Sequence, residues 1–167
     1  MFKRLVLAGT VAVLALQFVG LSVAGAKQKD PAPVATAKII GSVHIDPANP
    51  GIAYVTAKYS CPSEGAHLWV SVKQVASGDK DPALTQDGSS AIASAWLQRH
   101  PALGTEFTCD GATHTGTFSV DAGLTEYGFG ALAEGQTYVQ FCLTPPGAGP
   151  DQPPAWIVLD DRFVPAT

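Results

Sequence analysis

Basic residues are scarce in this chain. Its 167 residues hold 10 Lys and Arg against 14 Asp and Glu, a formal charge of −4. Two of the ten, Lys3 and Arg4, stand at the extreme N-terminus. Residues 27–167 therefore carry −6, and nothing in them neutralises a run of phosphates. This argues against nucleic-acid binding and against adhesion to anionic lipid. Long helical periodicity is also missing, so a helix bundle is not expected. After residue 26 no apolar run is long enough to span a bilayer. There is no H-E-x-x-H, no Cys-x-x-Cys, no G-x-S-x-G elbow after residue 26 and no phosphate-cradling glycine loop. A cofactor-dependent or metal-dependent enzyme thus has no signature here, and neither a metal nor a cofactor is expected.

What is present begins with an export signal. Lys3-Arg4 precede an apolar stretch from Leu5 to Val23, and Ala24-Gly25-Ala26 supplies the small-x-small pattern that a signal peptidase accepts. Residues 1–26 read as a signal peptide, with an uncleaved anchor as the other reading. Residues 27–37, KQKDPAPVATA, form a Pro/Ala-rich linker, and residues 38–167 are one domain. The protein is expected to be secreted, extracellular or in the cell envelope.

Short alternating runs between turn signals predict strands over 38–45, 52–61, a third carrying Leu68, Val70 and Val72, 105–109, 113–120, 138–144 and 156–164. Residues 78–87 read as a polar loop. Residues 90–98 alternate as a strand, with a short helix as the competing reading. Asp110-Gly111 predicts a hairpin between 105–109 and 113–120. Seven to eight such strands indicate an all-β, immunoglobulin-like antiparallel β-sandwich.

Three cysteines in an exported chain imply one bridge and one thiol. Loop entropy gives about 4 kcal/mol for any pairing, so energy does not choose. Side-chain parity does. Cys61 shares the apolar face of its strand with Val55 and Tyr59, and Cys109 shares a face with Phe107. Cys142 falls opposite Val139, Phe141 and Leu143. A Cys61–Cys109 disulfide and a free Cys142 thiol follow, against the immunoglobulin-type pairing of Cys61 with Cys142. The chain is then a monomer, or a dimer if Cys142 is oxidised between chains.

Tyr59-Ser60-Cys61-Pro62, then a strand, then Thr108-Cys109-Asp110-Gly111 with His114-Thr115, resembles a pattern of small secreted actinobacterial domains. Those are predicted immunoglobulin-like sandwiches of unknown function with the motifs Y-x-C-P and T-C-D-G-x-x-H-T. The resemblance implies the same fold, export and disulfide, and no catalytic residues. Cys142 and the longer stretch between Lys73 and Thr105 depart from it.

Two functions of different classes remain. The first is a non-enzymatic binding or structural module with a protein or cell-wall partner. Its binding loop would hold Pro145, Pro146, Pro153, Pro154 and Trp156, a stiffened segment beside an aromatic anchor. Trp69 is a second exposed-aromatic candidate, while Trp96 is placed over the core as readily as outside it. The alternative is a small extracellular hydrolase, or hydrolase inhibitor, with a loop-built site at His114 and Asp110. His44 with Asp46 is a turn lead-in rather than a metal pair, since a site needs three or four ligands. Asp160-Asp161-Arg162 reads as a solvated edge with an ion pair, and His67 and His100 read as loop residues.

Overall fold

The computed structural model describes residues 35–62, 65–123, 127–146 and 157–167. The signal peptide and all but the end of the predicted linker lie outside them. Thr36 and Ala37, assigned above to the linker, already belong to the first strand. Seven strands follow in order: β1 Thr36–Ile45, β2 Ile52–Ser60, β3 His67–Gln74, β4 Ala95–Arg99, β5 Thr113–Asp121, β6 Gly135–Thr144 and β7 Val158–Ala166. Two 3-10 turns, Pro82–Thr85 and Ser89–Ala91, separate β3 from β4, so the polar loop expected over 78–87 holds one 3-10 turn with Leu84 buried. Among the described residues no helix is long and apolar enough to cross a membrane.

The period-2 pattern dictates the core. Ala53, Val55, Ala57 and Tyr59 of β2 are buried, as are Leu68, Val70 and Val72 of β3 and Val139, Phe141 and Leu143 of β6. Each fully buried Val, Leu or Phe contributes about 1.5–3 kcal/mol of apolar transfer energy. Phe141 sits at the centre, its ring 5.5 Å from that of Phe118 and 6.0 Å from that of Tyr59.

Pairing runs β1-β2-β5-β4-β3-β6-β7 and closes into a mixed barrel. Two narrow seams make the closure. On one side β4 meets β5 at the single pair Gln98–Asp121. On the other, β1 meets β7 in parallel at Val43–Ala166. The register of β1 against β2 breaks between Ile40 and His44, where Gly41 takes a φ of 71°, the left-handed region that glycine enters without strain. The bulge frees Val43 to accept from Thr167 N while Ile45 N donates to Thr167 O.

Three sequence expectations change. Residues 105–109 are not a strand. Glu106 N donates to Ala102 O and the Glu106 carboxylate accepts from Ala102 N and pairs with Arg99, so the segment closes on itself as a turn. The edge of β5 that a hairpin would have used is filled by β2, which pairs with it along its whole length from Ile52–Asp121 to Ser60–Thr113. Within 90–98 both readings hold in part. Ser89–Ala91 is a 3-10 turn, and the strand starts only at Ala95, after Ser94 N and Oγ both donate to Gln74 O. His67 is the first residue of β3 and not a loop residue, whereas His100 lies in the loop that follows β4, as expected.

Candidate functional site

The two sequence blocks that carry the resemblance meet in space. Cys61 and Cys109 are bonded. Around the bridge, Gly111 N donates to Cys61 O at 2.9 Å, and Thr108 N donates to Tyr59 Oη at 3.3 Å. His114 lies opposite Tyr59 in the β2–β5 register, its ring 5.8 Å from the phenol. Its Nε2 is 2.7 Å from Asp110 Oδ1, which also accepts from Ala112 N. The His114 contact, first, and the Ala112 amide hold the Asp110 carboxyl below the usual carboxylate range. Asp110 and His114 therefore brace the turn before β5, with Gly111 at a φ of 82°. This is a structural role.

Other predicted positions fall as follows. Asp46 accepts from Ala48 N, Asn49 N and Tyr54 Oη, which closes the β1–β2 turn. The Ala48 amide is the main reason its carboxyl is held low. Among the described residues no three His, Cys, Asp or Glu cluster as a metal site. Asp160 pairs with Arg162 and also accepts from Ile39 N, while Asp161 accepts from Tyr138 Oη. The Asp160–Arg162 pair is the one expected, but Asp160 also bonds across to β1 rather than being only solvated. Of the proposed binding loop, Pro145 is buried and Pro146 exposed, and Pro153, Pro154 and Trp156 lie outside the described residues.

Cys142 is a free thiol, half-buried between Trp69 of β3 and Leu159 of β7 in the register. Burial pushes the thiol up, away from the reactive thiolate. A non-reducing gel is expected to show the same monomer band for wild type and Cys142→Ser. A wild-type dimer band that the substitution removes would contradict this placement.

A depression lies elsewhere, on the outer face of β4, β3 and β6. Strand parity turns Trp69, Ser71 and Lys73 of β3 outward, and the register sets Ser71 beside Gln98 and Gln140 and Lys73 beside Trp96. This face would ordinarily meet water. Here the segment between β3 and β4 folds back over it. Asp81 caps the first 3-10 turn through Ala83 N, and Leu84 is fully buried. Ser71 and Gln98 become buried polar residues, and Lys73 is left 8% exposed.

Between cover and sheet lies a depression of about 300 Å³. Trp69 and Trp96 supply its aromatic wall, and Lys73, Gln140, Asp87 and Ser89 are among its polar groups. Lys73 Nζ donates to Ser89 Oγ at 2.8 Å and stands 5.1 Å over the Trp96 ring. Among the described residues Ser89 is its one hydrogen-bond partner, although an ammonium has three protons. Burial, first, lowers the Lys73 pKa, and the Asp87 charge partly restores it. Trp69 Nε1 donates to Gln98 Oε1 at 3.1 Å, which fixes that indole. Two buried donors, Trp96 Nε1 and Gln98 Nε2, have no acceptor among the described residues. Each such group costs about 1–3 kcal/mol, a cost that an apolar sheet face would not bear.

The sequence marks Trp69 as an exposed aromatic but not this site, because the cover has no periodicity to announce it. Neither a protein-family model nor a curated protein matches the chain.

Proposed function

We propose that the protein is an exported, non-enzymatic binding module that holds a neutral pyranose in the depression walled by Trp69 and Trp96. The single observation that carries this reading is Lys73. It is a nearly buried ammonium set over one indole of an aromatic-walled depression, with one of three donors engaged among the described residues. Such a combination of apolar faces and a few placed polar groups suits a ring that is apolar on its C–H face and hydroxylated at its rim. Lys73 donates to ring hydroxyls and Asp87 accepts from them, so opposite charges favour a neutral sugar over a sugar acid. The volume is at the small end for ligand sites, enough for one ring of a longer glycan.

Export is supported by the signal-like N-terminus and by the Cys61–Cys109 bridge, which persists in oxidising compartments. We read the barrel as an immunoglobulin-like sandwich drawn together at its edges. In that reading β1, β2 and β5 form one layer and β4, β3, β6 and β7 the other, in line with seams of one register pair each. The resemblance to secreted actinobacterial domains agrees with the clustering of its two motifs around the bridge.

Titration with glucose, N-acetylglucosamine and glucuronate tests the proposal through indole fluorescence. A saturable change with a neutral sugar is expected, weaker with glucuronate. Lys73→Met keeps the packing volume but removes the donor, and affinity is expected to fall about tenfold or more, the equivalent of a charge-assisted hydrogen bond. No saturable change with any of the three, or binding unaffected by Lys73→Met, would refute the reading.

A further inference from the structure

The registers of β4, β3, β6 and β7 order their outer face into straight rows. One row is polar and crosses all four strands. Gln98 stands opposite Ser71, Ser71 opposite Gln140, and Gln140 opposite Asp161. Exposure rises along it: Gln98 and Ser71 are buried, Gln140 is half-buried and Asp161 is exposed. The depression walled by Trp69 and Trp96 reaches Gln140, so its open side faces β7. One flank of the row is closed. There Tyr138, beside Lys73 in the register, is buried, and Lys80 of the cover stands 5.1 Å over the ring of Phe163. The other flank is open and largely apolar, with Trp69, Cys142 and Leu159 side by side and Leu159 49% exposed.

Two groups at the open end are set to bond outward. Ser71 Oγ donates to Gln140 Oε1 at 3.4 Å, which leaves the Gln140 amide N–H groups without an acceptor among the described residues. The buried Tyr138 Oη donates to Asp161 Oδ2, which fixes that carboxylate and leaves its other oxygen without a donor among the described residues. Burial, first, and then the hydrogen bond to Asp161 push the Tyr138 phenol up, so the proton stays on Oη. A donor and an acceptor beside an apolar side chain thus repeat, further along the sheet, the combination at Lys73, Asp87 and Trp96. Ser71 on β3 and Asp161 on β7 are two strand spacings, about 10 Å, apart. Two pyranose rings of an extended chain reach across that distance.

We propose that the site takes an extended neutral glycan of two or more rings, running across the strands from the Trp69–Trp96 depression to a second subsite at Gln140, Leu159 and Asp161. This subsite rests on the one-ring reading above and adds the direction in which the chain continues. The Asp161 carboxylate accepts from ring hydroxyls and repels a uronic acid at the second ring.

Isothermal titration with two matched pairs tests this: glucose with cellobiose, and N-acetylglucosamine with N,N′-diacetylchitobiose. In the pair whose single ring binds, the disaccharide is expected to bind about tenfold or more tighter. Asp161→Ala should cut that ratio to about threefold or less. Tyr138 loses its acceptor in this variant, so Leu159→Ala, at an exposed position, is the second variant and should lower the same ratio. A single ring that binds with no gain for its disaccharide, or a gain that survives both variants, would overturn the second subsite and leave the one-ring site standing. Binding of none of the four sugars would overturn both.

Discussion

Opening the Cys61–Cys109 bridge is expected to lower the stability of the domain by about 4 kcal/mol. The bridge closes a loop between residues 48 apart, and cross-linking a loop of that length removes about this much freedom from the unfolded chain. It also joins the end of β2 to the segment that leads into β5. Tyr59, Phe107 and Phe118 pack there, with Tyr59 and Phe107 edge to face at 6.4 Å. Cys61 is 1% exposed, and Cys109 is half-buried against the core. Urea denaturation of the wild type against the Cys61→Ala, Cys109→Ala double variant measures the difference. A shift of about 10–20 °C in the melting temperature should accompany it. A difference under about 1 kcal/mol would mean that the bridge does not constrain the unfolded state as loop entropy requires.

Phe141→Ala is expected to cost about 3–5 kcal/mol, the range for removing a buried ring whose surroundings cannot collapse into the space. Its neighbours come from opposite sides of the barrel. Phe118 and Tyr59 belong to β5 and β2, whereas Phe141 itself lies on β6 beside Val70 of β3. These strands are held by their own ladders, so the walls cannot close on the gap. The midpoint in urea should fall with the slope unchanged, because the surface exposed on unfolding is nearly the same. A loss below about 1 kcal/mol would place the centre of the core elsewhere.

The sequence made the core legible wherever one face of a strand is buried. Val55, Leu68, Val70, Val72 and Leu143 alternate with polar residues, and each lies inside. The same parity set Cys61 and Cys142 on opposite sides of the sheet, and the bridge joins Cys61 to Cys109 as that reasoning implied. The hairpin at Asp110-Gly111 misled because a turn signal specifies local backbone and not the partner. Gly111 takes the positive φ expected of it, yet the strand beside β5 is β2.

The candidate sites were nearly illegible for a related reason. Lys73 and Ser89 meet through a cover built from 3-10 turns with no hydrophobic period, and Lys73 with Trp96 through a cross-strand register. Gln140 and Asp161 likewise become neighbours only when β6 and β7 are placed side by side. Register is a property of the assembled sheet, so no local pattern carries it.

The proposed sugar site lies on the face of Trp69, Lys73 and Trp96. Its most direct test is the proton–nitrogen NMR spectrum of the indole groups, assigned through Trp69→Phe and Trp96→Phe, recorded as N-acetylglucosamine is added. Progressive, saturable shifts of the Trp69 and Trp96 signals are predicted. Indole signals that stay fixed to the highest sugar concentration would contradict the account.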